Sequence, residues 1–176
     1  MRTSLPNRSP PTAVLFGHRM SAFIATAPDT TSPERDTLSN DGWFPDLSLS
    51  NLRETGRIDG TVTGDRLREL ARYAALSINA RLREFRAGNE GAGYRSLAAV
   101  PSSRFDGESR LLVLYRRAVA CLLKADVMER YPDFDSTGSG ERRAEDAQDN
   151  AGTWRRNASW AVSDITGATR SVVELI

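Results

Sequence analysis

The stretch from Phe105 to Tyr131, FDGESRLLVLYRRAVACLLKADVMERY, constrains the fold more than any other part of the chain. Leu111, Leu114, Tyr115, Ala118, Val119, Leu122, Ala125 and Met128 recur at helical spacing and cover one broad face. A helix apolar over so much of its circumference must be enclosed by partners. Asp106 is placed to cap it, and Glu108 suits the positive end of the helix dipole. Tyr131-Pro132 is the expected stop, because a residue before proline avoids helical geometry. Cys121, the one cysteine of the chain, lies mid-helix and reads as a small buried hydrophobe without an intrachain disulfide.

Two further stripes supply the partners. Leu67, Ala71, Ala74, Ile78, Leu82 and Phe85 keep spacings of four and three, which predicts one helix from a cap at Thr63 to about Ala87, ended by Gly88. Ala147, Ala151, Trp154, Ala158, Ala161 and Ile165 predict a helix over roughly Glu141–Ile165, in which Gly152 leaves room for a kink or break. A shorter helix follows Trp43-Phe44-Pro45, capped by Asp46 or Ser48 and ended near Gly56. Asp133 to Gly140 reads as a flexible turn. The expected fold is therefore all-α. Residues 43–167 form a small bundle of three long helices and a short N-terminal one.

Both ends read differently. Six of the eight prolines precede Asp46, and residues 1–42 are rich in Ser, Thr and Asp with little periodicity, so they are expected to be an extended or disordered arm. Met20 reads as a second candidate start, and the short apolar patch at Ala13–Phe16 does not make a signal peptide. Residues 168–176 form a tail whose last part, RSVVELI, is β-branched and has no partner strand in the chain. A lone strand needs another molecule's sheet edge to satisfy its backbone.

The 176 residues suffice for one core, and the formal charge of +1 gives no support to a broad nucleic-acid-binding face. All basic residues but Lys124 are arginines. With His18 and Cys121 each alone of their kind, no zinc site, triad or Cys-His dyad can be built within the chain. Gly88, Gly91 and Gly93 follow a helix and lack the ending of a phosphate loop. Asp133, Asp135, Thr137 and Gly138 imitate a calcium loop, but Ala144 stands where a bidentate glutamate is needed. Asn157-Ala158-Ser159 matches a glycosylation acceptor inside a helix. Glu141, Glu145, Asp146 and Asp149 mix with Arg142 and Arg143 as a solvated face. Arg116-Arg117 and Arg155-Arg156 remain as an intersubunit or DNA-facing set. No enzyme activity, metal or cofactor is expected.

Several segments in order resemble the head completion protein (GPL) family of contractile-tailed temperate phages. They are Trp43-Phe44-Pro45-Asp46, Val62-Thr63 with Arg66-Leu67-Arg68-Glu69, then Asn79, Leu82 and Arg86. Gly93-Tyr94, Leu97-Ala98, Val100-Pro101 and Asp106-Gly107-Glu108-Ser109 follow. Tyr115, Arg117-Ala118-Val119, Glu129-Arg130-Tyr131, Trp154-Arg155 and Trp160-Ala161-Val162 complete the set. The resemblance covers roughly residues 21–176. It implies a structural virion protein that binds beneath the portal after DNA packaging, stabilises the filled head and readies it for tail joining. It also implies a ring of copies matched to the portal, expected to be twelve-fold, assembled in the host cytoplasm. The implied partners are the portal protein, a tail terminator or neck protein, further copies of the chain, and packaged DNA passing through the channel without sequence preference. The tail residues Arg170, Val172, Val173, Leu175 and Ile176 are then the expected portal grip. The alternative is a small DNA-binding packaging factor resembling a terminase small subunit, which requires a compact helix-turn-helix.

Overall fold

The computed structural model describes residues 33–130 and 140–170. In chain order its elements are α1 (Pro33–Asp36), β1 (Thr37–Leu38), β2 (Leu47–Ser48), α2 (Leu49–Thr55), α3 (Gly64–Arg81), α4 (Arg83–Gly91), a 3-10 turn (Leu97–Ala99), β3 (Arg104–Phe105), β4 (Glu108–Ser109), α5 (Arg110–Arg130) and α6 (Gly140–Thr166). They fall in one compact unit, Thr31–Ile176.

Helix α5 is the centre. It packs most extensively against α6, next against α3, and also touches α2. Six successive residues, Ala118 to Leu123, are all buried, so every side of this part of the helix is covered, as its width of apolar surface demands. Ala71 and Ala74 on α3, Ala118 and Ala125 on α5, and Ala158 on α6 are each 0% exposed. Small side chains at these contacts let the helix axes approach closely. Leu67, Ala71, Ala74, Ile78 and Leu82 of the expected stripe are buried, with Phe85 partly so. On α6, Ala151, Ala158, Ala161 and Ile165 are buried, and Trp154 packs partly against the core. Cys121 is buried and unpaired by disulfide, and burial pushes its thiol pKa up despite the nearby Arg117.

The helix boundaries depart from expectation in three places. The predicted helix over 63–87 is two helices, because Leu82 leaves helical geometry at φ −95°, ψ 7° while its side chain stays in the core. Gly88 does not stop α4. Gly93, at φ 93°, does so: Tyr94 N donates to Asn89 O at 3.0 Å and Gly93 N to Glu90 O at 2.9 Å. That is a Schellman ending, which needs a left-handed residue where glycine is least strained. Helix α6 runs through Gly152 without a break.

The start of the long helix is the third correction. Asp106 is not its cap. Arg104 pairs with Ser109 and Phe105 with Glu108 in a two-residue hairpin, and Asp106 and Gly107 turn it at φ 48° and 74°. Two successive left-handed residues make a type I′ turn, for which Asp-Gly is a preferred dipeptide. Helix α5 begins only at Arg110, whose N–H bonds Ser103 O at 2.9 Å.

The N-terminal boundary also moves. The arm was expected to reach residue 42, yet β1 pairs with β2, and Leu38 is 7% exposed. Asn40 joins a closed triangle with the half-buried Asn79 and the fully buried Tyr115. Asn40 Nδ2 donates to Tyr115 Oη at 2.8 Å, Tyr115 Oη to Asn79 Oδ1 at 2.7 Å, and Asn79 Nδ2 to Asn40 Oδ1 at 2.9 Å. Phe44 stacks on Tyr115 at 5.0 Å, and Trp43 meets Phe44 edge-on at 4.8 Å. Trp43 Nε1 donates to Tyr94 O at 3.2 Å, and Trp43 O accepts from Leu97 N at 2.9 Å. The predicted arm up to residue 32, the turn from Tyr131 to Ser139, and Val172, Val173, Leu175 and Ile176 lie outside the described residues.

Ser48 rather than Asp46 is the N-cap of α2, its hydroxyl accepting from Asn51 N at 3.1 Å. Asp36 reinforces it from α1. Its carboxylate accepts from Ser50 N at 2.7 Å, Ser48 Oγ at 2.7 Å and Ser50 Oγ at 3.0 Å. Desolvation pushes this carboxyl up, but the serine bonds and Arg68 together hold it below the usual carboxylate range. A depressed carboxyl stabilises the fold above its unfolded pKa and loses that contribution as pH falls through the folded one. Asp36→Ala is therefore expected to cost about 1 kcal/mol at neutral pH. In urea titrations the gap from wild type should shrink at acid pH; a gap that does not change with pH contradicts this role.

Candidate interaction surfaces

The four arginines singled out on α5 and α6 do not form one patch. Arg116 pairs with Glu108 across the start of α5, bracing the hairpin. Arg155 reaches from α6 to α5, where its Nε meets Glu129 at 2.9 Å and its Nη2 meets Asp126 at 3.2 Å. This bridge fastens the two helices within one subunit. Burial pushes the Asp126 carboxyl up, which Arg155 opposes. Arg117 and Arg156 are exposed on the helix surfaces. Arg156 lies over the Trp160 ring at 5.4 Å.

Arg170, the first residue of the expected portal grip, is paired within its own chain. Its Nε and Nη2 form a fork on Asp164 at 3.0 and 2.6 Å, and its guanidinium lies 5.5 Å from the centre of the Trp160 ring. The hydrogen bond from Arg170 pulls the Asp164 carboxyl below its usual range. Arg110 and Arg117 of α5 add positive potential at Asp164. Trp160 Nε1 is buried with no hydrogen-bond partner among the described residues. The point where the chain leaves α6 is thus held by an ion pair on one helix and flanked by cations of another.

Exposed large apolar side chains that periodicity alone did not pick out stand at the hairpin and on α3, besides Val113 of α5 at 41% exposed. Phe105 is 80% exposed at the hairpin, and Tyr73 and Leu76 are 53% and 57% exposed on the outer face of α3. The signal for the first was the Asp-Gly pair that follows Phe105. Tyr73 and Leu76 stand out of phase with the Leu67–Leu82 stripe, three apart on one side of the helix. Among the described residues no cluster of His, Cys, Asp and Glu can hold a metal ion, and no helix is long and apolar enough to cross a membrane.

Fold and surfaces together define a small helical protein that presents arginines, exposed aromatics and an ion-paired exit from α6. A model of the phage head completion protein (GPL) family matches residues 38–176. The match begins at Leu38, where the described core also begins. The chain is 34% identical over 143 residues to the head completion/stabilization protein of Escherichia phage P2, an alignment covering 81% of this chain and 85% of that one. It belongs to the phage head completion protein (GPL) family, and its role is structural, in completing the phage head. No solved structure matches it.

Proposed function

We propose that this protein is a virion component that binds beneath the portal after DNA packaging, as a ring of copies forming the head–tail connector. The observation that carries this reading is the extent of the family match. It continues to residue 176, past the end of α6 at Thr166. What the family shares therefore includes a segment beyond the packed helices.

The chemistry of that segment suits a partner. Val172, Val173, Leu175 and Ile176 are apolar or β-branched, and an extended segment of this kind adds to a sheet edge through backbone hydrogen bonds, its side chains giving specificity. The Arg170–Asp164 fork supports it by setting where the segment starts. A tail with one fixed end loses less freedom on docking than a free peptide. The portal protein is the proposed acceptor, with a tail terminator or neck protein meeting the opposite side of the ring. Arg117 and Arg156 are the exposed cations available to a neighbouring copy or to DNA in the channel, whereas Arg116 and Arg155 serve their own subunit.

Deleting residues 171–176 while sparing Arg170 tests the reading. The truncated chain should keep its helical circular dichroism and melting temperature, since the cut falls after α6 and the buried residues that α6 contributes. Its incorporation into heads should be lost. Normal incorporation of the truncated chain overturns the tail's assignment.

A further inference from the structure

We infer that neighbouring copies of this chain join head to tail, Phe105 of one copy seating between Tyr73 and Leu76 of the next. The inference rests on the ring reading above and adds the contact by which the ring closes.

Phe105 is held out by a preorganised support. Its hairpin turns through Asp106 and Gly107, and Arg104 folds back so that its Nε donates to Gly107 O at 3.2 Å. The base is tied by the Ser102–Ser109 hydroxyl pair at 2.9 Å and by the Arg116–Glu108 ion pair. A rigid aromatic on a fixed turn loses little freedom when it docks, and a buried aromatic of this size removes about 150–250 Å² from water. Such residues are the usual anchors of protein interfaces.

Charge decides the occupant. Asp106 stands beside Phe105, and Arg72 stands beside Tyr73, one turn from Leu76; both are exposed. Among the described residues neither has an ion-pair partner. A symmetric pairing of two hairpins would set Asp106 against Asp106 and leave Tyr73 and Leu76 uncovered. A symmetric pairing of two α3 faces would bring two Arg72 side chains to one surface and leave Phe105 uncovered. Pairing the hairpin of one copy with α3 of another covers both patches and brings Asp106 toward Arg72; made reciprocally it would end at a two-fold dimer, so the ring reading selects its head-to-tail form. A heterologous contact repeats from copy to copy and closes into a ring when its rotation permits.

The test uses two full-length variants whose changes lie on exposed side chains. Phe105→Asp removes the knob and keeps the socket; Leu76→Asp does the reverse. Native mass measurement should find wild type in assemblies and each variant alone as a monomer. Mixed in equal amounts, the two should form dimers and nothing larger, because one sound contact remains and then ends. Assembly unaffected by either change overturns the inference, as does a mixture that stays monomeric or a wild type that stops at a dimer, the end point of a reciprocal pairing. A wild type that is itself monomeric overturns it too, and assigns these patches to the chain's own undescribed segments or to another partner. Capture on purified portal, scored separately, reads the portal assignment. Variants that dimerise on mixing while wild type fails to bind portal would refute that assignment and keep this contact.

Discussion

Tyr115→Ala should lower folding stability by about 3–5 kcal/mol, the range for removing a large aromatic from a packed core. Tyr115 is 0% exposed, stacks on Phe44 and bonds both Asn40 and Asn79. Alanine would leave a cavity and take one hydrogen bond from each of two amides. Tyr115→Phe separates the two contributions. It keeps the ring and removes only the hydroxyl, so it should cost about 1–3 kcal/mol, the penalty for leaving buried polar groups unpaired. Burial pushes the Tyr115 phenol far above its ordinary pKa, so it stays protonated and donating throughout the range where the fold is studied. Urea midpoints with unchanged slope measure both variants. A Tyr115→Phe variant as stable as wild type would mean that the two hydroxyl bonds contribute nothing.

Trp43→Ala should cost a similar amount, about 3–5 kcal/mol, with a different local signature. Trp43 is 3% exposed, and its indole touches Phe44 and Phe85 while its N–H holds Tyr94 O. Arg86 lies 5.7 Å from the ring centre and pairs with Asp41 at 2.6 Å and Glu90 at 2.9 Å. Removing the indole frees α4 and the loop behind it from the N-terminal segment. Hydrogen exchange should therefore rise over residues 83–97 more than over α5. Uniform loss of protection would show that Trp43 acts on the whole core and not on this corner. Trp43→Phe should recover part of the stability through the ring contacts but not the bond to Tyr94.

These two residues also show what the linear chain could reveal. Trp43, Asn79, Arg86, Tyr94 and Tyr115 were legible as members of a family pattern, but their spacing says nothing of their meeting. They converge through contacts far apart in sequence, which periodicity cannot see. The helical stripes were legible because burial imposes a period on apolar residues. Their ends were not, where tertiary packing overrode local signals. Leu82 stays in the core at the cost of its helical geometry, and Gly88 is tolerated inside α4. Asp106-Gly107 carried two readings at once. A short polar residue before an apolar run suits a helix cap, but Asp followed by Gly also makes a type I′ turn, and the hairpin prevailed. For the surfaces, Arg155 looked from sequence like any exposed cation. Only the fold shows that it bridges α6 to α5, leaving Arg117 and Arg156 as the outward pair.

The central claim is that this phage head completion protein binds the portal as a ring. Mixing the full-length chain with purified portal and weighing the complex tests it most directly. Saturation at one chain per portal subunit, in a closed ring with an open channel, is the expected result. No complex with portal, together with duplex DNA binding that falls steeply across a salt series, would contradict the account and favour a DNA-binding packaging factor.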